Sequence, residues 1–263
     1  MIRIVNEADT FPIKSDDPFY TRVLSLFESY GAGYAFVGFW IQENDGEIVS
    51  AISRFEDKFS LYLTDGSDME ELAAFLSFQG AGSVMLDSRF DFDFDSAKEI
   101  SGDVLVYRGE NYISDTEICE PDFKTLYSLL KSCESDAFIV PDYMMFLSDV
   151  THRSSLGKCS VRGVRVDGVL ASSVMTVSET SDAVIIGAVA THPAYRRRGL
   201  SRRLVRDLAS RISSQGRAVY VFSASKANTR FYLGSGFELS AGFREMFFQN
   251  RLRRPADFGD PNR

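Results

Sequence analysis

The chain has 263 residues, 44% hydrophobic and 25% charged, an ordinary globular composition with enough material for one large domain or two small ones. Its three cysteines (Cys119, Cys133 and Cys159) are too few and scattered for a disulfide framework or zinc knuckle, and the longest apolar run, 34–41, falls far short of the ~20 residues of a membrane helix. The net charge of −8 divides into −15 over residues 1–118 and +7 over 119–263, so only the second half suits a polyanion. Residues 1–7 lack the apolar core of a signal peptide, and the expected location is the cytoplasm.

In chain order, 18–30 reads as a helix with Phe19, Val23, Leu26 and Phe27 on one side, ended by Gly31-Ala32-Gly33. Residues 34–42 and 47–55 form a hairpin about Asn44-Asp45-Gly46, and 59–63 adds a third strand. A helix follows with Ser67 as its cap and Asp68, Glu70 and Glu71 in its first turn. Residues 83–86 form a short strand. The alternating Phe/Asp run 91–95 is an edge strand or an acidic loop, and 103–108 is a strand.

The second half repeats this order. Helices are expected over 122–131 and 142–153, then a hairpin of 158–166 with 169–177 about Asp167-Gly168. The apolar β-branched run 183–190 is a strand. Leu200, Leu204, Leu208 and Ile212 recur every four residues with Arg202, Arg203, Arg206 and Arg211 on other faces, which makes an amphipathic helix with Gly216 at its C-cap. Strand 218–223, helix 228–233 and a closing strand near 243–249 complete the half.

Strand, turn and helix meet at Arg196-Arg197-Arg198-Gly199-Leu200-Ser201. A helix N-terminus presents free N–H groups and the positive end of its dipole, so it favours anions. Gly199 permits close backbone approach, Ser201 is small, and the arginines suit phosphate. Here the chain resembles the GNAT superfamily of N-acetyltransferases, whose acetyl-CoA signature is R/Q-x-x-G-x-G/A, with Ser201 replacing the last Gly/Ala. The preceding Val189-Ala190-Thr191-His192-Pro193-Ala194-Tyr195 fits the family, and Phe231-Tyr232-Leu233-Gly234-Ser235-Gly236-Phe237 is similar to its L-Y-x-x-x-G-F block. The resemblance spans roughly 118–250.

The resemblance of the second half, with the repeated element order, implies an α/β (α+β, mixed-sheet) chain of two GNAT-like domains, each a mostly antiparallel central sheet flanked by helices. The first, 1–110, is degenerate, because its carboxylates at 65–71 would repel a pyrophosphate; the second, 111–263, is complete. It implies an N-acetyltransferase that moves acetyl from acetyl-CoA to a primary amine by direct attack, without a covalent enzyme intermediate or a metal. Val189, Ala190 and Thr191 would hold the pantetheine arm and polarise the thioester. Arg196, Arg197, Arg198, Gly199, Leu200, Ser201 and Arg202 would hold the diphosphate, with Ser225 and Asn228 on the arm. Tyr232 would protonate the departing thiolate. The acceptor is a small-molecule or peptide amine, with no nucleic acid or membrane partner, and the chain is a monomer or a dimer.

Other readings stay beside this one. The arginines also fit a solvated helix face or a nucleic-acid patch, which the acidic chain and the lack of aromatics in that helix disfavour. Tyr232 also fits a core tyrosine. His192, before Pro193, reads as a surface histidine, and His152 has no stronger case. Glu179 and Asp182 flank a turn, where carboxylates are usually solvated, so the general base is unassigned. Cys159 reads as a small buried hydrophobe. Tyr143, Met144, Met145 and Phe146 beside Asp142 and Asp149 suit a cationic amine or a core. A different acyl donor and a non-catalytic acyl-CoA-binding module are the alternatives to an acetyltransferase.

Overall fold

The computed structural model describes residues 1–6, 11, 15–92, 96–114, 117–135 and 138–248. Its internal contacts form two units, Met1–Asp103 with the chain from Ala241, and Val104–Ser240. Each is a layer of mixed, mostly antiparallel sheet with helices.

Unit 1 contains β1 (Ile2–Ile4), α1 (Pro18–Tyr30), β2 (Val37–Asn44), β3 (Glu47–Phe55), β4 (Lys58–Leu63), α2 (Met69–Gln79), β5 (Ser83–Asp87) and the start of β6 (Lys98–Tyr107). Strands β1 to β4 are antiparallel neighbours in chain order, and β5 lies parallel to β4 after the α2 crossover. Alternation along β2 and β3 sends Phe39, Ile41 and Ala51 to one face and Trp40 and Ile52 to the other. Tyr20 and Val23 of α1 cover the first face, and Leu72 and Leu76 of α2 cover the second.

Unit 2 continues with α3 (Phe123–Ser132), α4 (Tyr143–Ser155), β7 (Val161–Val166), β8 (Val169–Glu179), β9 (Ala183–Thr191), α5 (Leu200–Ser213), β10 (Ala218–Ser223), α6 (Lys226–Leu233) and the first residues of β11 (Phe237–Phe247). Strands β7, β8 and β9 are antiparallel neighbours, and β10 is parallel to β9. The four-residue repeat of α5 buries Leu200, Leu204, Leu208 and Ile212 against Val174, Val184, Ile186, Val219 and Val221. On the other face Leu126, Leu129, Leu130, Phe146 and Val150 of α3 and α4 meet Leu170, Met175 and Ala190.

Several boundaries differ from expectation. Tyr34 to Phe36 form a turn rather than the start of β2, and α2 is capped by Asp68 rather than Ser67. Asp91 and Phe92 lie in a loop, and 93–95 lie outside the described residues, as does residue 249 of the expected closing strand. That strand begins at Phe237, directly after Gly236, rather than near 243. Its second half, Phe243–Phe247, pairs antiparallel with Asp87–Ser83, so the end of the chain completes the sheet of unit 1.

Met246 is 1% exposed within the apolar cluster of unit 1, opposite Val84. Met246→Ala should cost about 2–5 kcal/mol. Hydrogen exchange should then quicken in β4, β5 and α2 while β9 and α5 keep their protection; equal loss in both sets would contradict this placement of the strand.

Candidate active site

The site is built where β9 ends. Its parallel pairing with β10 runs from Ala183–Ile186 against Ala218–Val221, yet β9 continues to Thr191. On the other side the register with β8 slips between Ser173 and Met175, and Ala188 takes a left-handed φ of 46°. This is a bulge, one extra residue on β9, which turns main-chain groups out of the ladder. Val189, Ala190 and Thr191 follow it directly and line an open cleft of about 550 Å³.

After β9 a tight 3-10 turn, Pro193–Tyr195, leads to the arginine loop. Arg197 (φ 66°) and Gly199 (φ 75°) are both left-handed and reverse the chain into α5. Gly199 is the N-cap of α5 and supplies no side-chain hydrogen bond to it. The α-helical bond Arg203 N–H to Gly199 O, at 3.2 Å, leaves the N–H groups of Leu200, Ser201 and Arg202 ahead of it without an intrahelical acceptor. A Cβ built on Gly199 would meet nothing within 4 Å, and Gly199, Leu200 and Ser201 all line the cleft.

Every other helix among the described residues is capped by a side chain. Asp17, Asp68, Asp122, Asp142 and Ser225 accept main-chain N–H groups at the starts of α1, α2, α3, α4 and α6. In unit 1 the α2 terminus is closed further, because Gln42 Oε1 accepts Asp68 N–H at 3.0 Å and Gln42 Nε2 donates to Glu71 at 2.8 Å. A carboxylate of the chain itself, Asp68, thus occupies an amide of this terminus, with Gln42 as an added plug.

The cleft gathers most of the residues singled out from sequence. Val189, Ala190, Thr191, Arg196, Arg197, Arg198, Gly199, Leu200, Ser201 and Asn228 all line it. Arg196 Nε donates to Thr191 O at 3.2 Å, and the Arg198 guanidinium lies 5.2 Å over the Tyr195 ring, so two arginines are held in place. Arg202, Ser225 and Tyr232 are not among its walls. The Arg202 guanidinium lies against Gly234 at the end of α6. Ser225 Oγ caps α6 by accepting Asn228 N–H at 3.2 Å.

Tyr232 packs in the core of unit 2, with its ring 5.1 Å from Phe231 and 5.7 Å from Phe237. Burial pushes its phenol up to about 12. Its neighbour Phe231 faces the cleft instead.

Sequence reasoning missed Cys133, Ser135 and Phe138, which form part of the wall after α3. The Cys133 thiol donates to Thr191 O at 3.3 Å. The only signal for them was position, after a helix ending near the strand's far end.

The carboxylates weighed as bases lie elsewhere. Glu179 is not solvated: it is 4% exposed, accepts from the Thr176 hydroxyl and pairs with Arg217 at 3.2 Å. It stands opposite Val184, some 20 Å of strand from Ala190. Asp182 is exposed and gives its main-chain oxygen to Ala218 N–H. His192 is half-buried rather than a free surface residue, and its Nδ1 accepts Ala194 N–H at 3.3 Å. Desolvation raises the Cys159 thiol, which packs against the α3/α4 cluster.

Two expectations follow. Arg197→Gly removes a side chain from a left-handed position and should unfold no earlier than the parent, whereas Arg197→Val should lose about 1–2 kcal/mol in denaturant titration. Glu179→Ala removes the carboxylate that Arg217 and the Thr176 hydroxyl share and should cost about 2–4 kcal/mol in denaturant titration.

Comparison with known proteins places this geometry. Residues 166–245 match the family described as FR47-like protein. Among solved structures, a putative GNAT-family acetyltransferase from Novosphingobium aromaticivorans superposes with a TM-score of 0.58 at 16% identity, covering 88% of this chain and 96% of that one. A GCN5-related N-acetyltransferase from Kribbella flavida gives 0.57 at 12%, covering 88% and 94%. A tandem GNAT protein from the clavulanic acid biosynthesis pathway gives 0.54 at 11%, covering 94% and 98%. No curated protein matches the chain in sequence. The chain shares the fold of these acetyltransferase structures.

Proposed function

We propose that this tandem GNAT-fold chain is an N-acetyltransferase that takes acetyl-CoA as donor and a primary amine of a small molecule or peptide as acceptor, acting through unit 2. One observation carries the reading: α5, alone among the described helices, opens without a side-chain cap, and it does so into a cleft lined by Arg196, Arg197 and Arg198. Acetyl-CoA would supply an acyl group activated as a thioester and a diphosphate for the helix terminus.

The residues fit that donor. The N–H groups of Leu200, Ser201 and Arg202 point where an anion gains both hydrogen bonds and dipole stabilisation. The arginines add charge-assisted bonds. Beyond its bulge, the free edge of β9 at Val189–Thr191 orients the extended arm as a neighbouring strand would, and its N–H groups polarise the acyl carbonyl. Asn228 contributes a polar side chain from the opposite wall. Holding both substrates there supplies the orientation term.

Proton handling follows from the walls. No Asp, Glu or His is among the described residues lining the cleft, and the proposed reading takes water as the acceptor of the amine's proton. Tyr232, held protonated by burial, supplies the proton for the leaving sulfur. From a phenol at about 12 to a thiol of pKa ~8.5 this transfer is uphill, so it requires direct contact as charge develops. The burial of Tyr232 behind Phe231 favours a second reading, a non-catalytic acyl-CoA-binding module.

Calorimetry with acetyl-CoA, beside a thiol-release assay on an amine panel, separates the two. The enzyme binds acetyl-CoA in the micromolar range, and Tyr232→Phe loses ~10²-fold in turnover with unchanged affinity. Binding without turnover on any amine identifies the module, and absence of binding refutes both. With an alkylamine of pKa ~10.4, log kcat/KM should rise with a slope near one from pH 6 to 9. Tyr232 adds no falling limb in that range. A plateau below pH 8 would instead reveal a protein base.

A further inference from the structure

Ser172 of β8 is wholly buried, yet it carries a hydroxyl into the sheet of unit 2. A buried hydroxyl is costly unless it is hydrogen-bonded, so its partners show what it serves. Ser172 Oγ donates to Ala190 O at 2.8 Å and lies 2.9 Å from Thr191 Oγ1. A carbonyl only accepts, so the one Ser172 hydroxyl proton goes to Ala190 O, and the Thr191 hydroxyl donates to Ser172. The result is a chain, Thr191 O–H to Ser172 O–H to Ala190 C=O, folded around the amide that joins Ala190 to Thr191.

The ladder fixes where the N–H of that amide points. His192 N–H donates to Ala171 O at 2.9 Å, and Ser172 stands opposite Thr191. Antiparallel pairs alternate between hydrogen-bonded and non-hydrogen-bonded, so Ser172 and Thr191 form a non-hydrogen-bonded pair. Thr191 therefore turns its N–H and C=O away from β8. Its carbonyl agrees, receiving the Cys133 thiol at 3.3 Å and Arg196 Nε at 3.2 Å, neither of which belongs to β8. The Thr191 N–H shares that side, the edge that β10 pairs only as far as Ile186, and Thr191 lines the cleft.

A carbonyl that accepts a hydrogen bond makes the N–H of its own amide a stronger donor, because linked hydrogen bonds polarise one another. Ser172 acts on the Ala190 carbonyl, and the N–H of that amide is the Thr191 N–H on the cleft side. Cys133 and Arg196 act on the next amide, whose N–H is spent on Ala171 O within the ladder. Of these three side chains, Ser172 alone acts on the amide offered to a ligand.

We propose that Ser172 is a positioning residue for the donor. Acting through the Ala190–Thr191 amide, it orients the Thr191 N–H and strengthens it as a donor to the pantetheine arm. It has no part in holding the diphosphate. This rests on the acetyl-CoA reading above.

The test measures, on the full chain, the affinity of acetyl-CoA by calorimetry and that of ADP, which carries a diphosphate without the arm, by competition. Ser172→Ala is expected to weaken acetyl-CoA at least fivefold, the order of one hydrogen bond, and to leave ADP within twofold of the parent. Ser172→Cys keeps the shape of the side chain with a weaker donor. It should lose at least twofold for acetyl-CoA alone, and it decides the matter if the alanine variant does not fold. In the isotope-labelled parent the Thr191 amide proton should move downfield in NMR spectra on adding acetyl-CoA but not ADP, and Ser172→Ala should at least halve that movement. Equal weakening of both ligands, undiminished acetyl-CoA affinity in the variants, or a Thr191 amide that acetyl-CoA does not move overturns the assignment of Ser172. Acetyl-CoA binding by the parent would still leave the donor reading standing. A parent that binds no acetyl-CoA removes both.

Discussion

The cleft of unit 2 is organised around one helix end left bare. A helix terminus holds several N–H groups with no intrahelical acceptor, and elsewhere in this chain a side chain meets that need. At α5 the left-handed Gly199 takes the capping position, contributes no acceptor, and leaves open space above it. Three consecutive arginines around such an end would repel one another without an anion between them. On the proposed reading, one diphosphate would answer both the bare amides and the arginine charge.

The opening of the sheet makes that terminus reachable. Parallel pairing fixes β9 to β10 only as far as Ile186, and the bulge at Ala188 then turns the remaining strand. Had β10 stayed paired to Thr191, the cleft would close and α5 would begin over a continuous ladder. Thr191 anchors the end of the arm: its carbonyl receives both the Cys133 thiol and Arg196 Nε, while its hydroxyl lies 2.9 Å from Ser172 Oγ. The arginine loop is thereby tied to the end of β9.

Much of this was legible in the sequence because it is local. Gly199 and the leucine repeat lie within fourteen residues of one another, and they fix both the turn and the buried face of α5. The hairpins at Asp45-Gly46 and Asp167-Gly168 likewise carry their own turn chemistry, with both residues of each pair at positive φ. What escaped depends on partners far along the chain. Arg217 lies 38 residues from Glu179, and nothing near Glu179 announced a buried pair. Cys133 meets Thr191 across 58 residues. The early start of β11 escaped because its pairing, not its alternation, makes it a strand; Gly242 in its middle has Ser88 Oγ where a Cβ would stand.

The two units also show how one layout serves two ends. In both, a strand, a helix and a second parallel strand follow in order, β4–α2–β5 and β9–α5–β10. In unit 1 the helix start is closed by Asp68, Gln42 and Glu71, and a single good cap contributes about 1 kcal/mol. Helix α5 forgoes that contribution. It offsets the loss through its buried face, where Leu200, Leu204, Val205, Leu208, Ala209 and Ile212 all enter the core, and each large one is worth more than a cap. The bare terminus is tolerated because the rest of the helix does not depend on it for stability, and that leaves its amides available to a ligand.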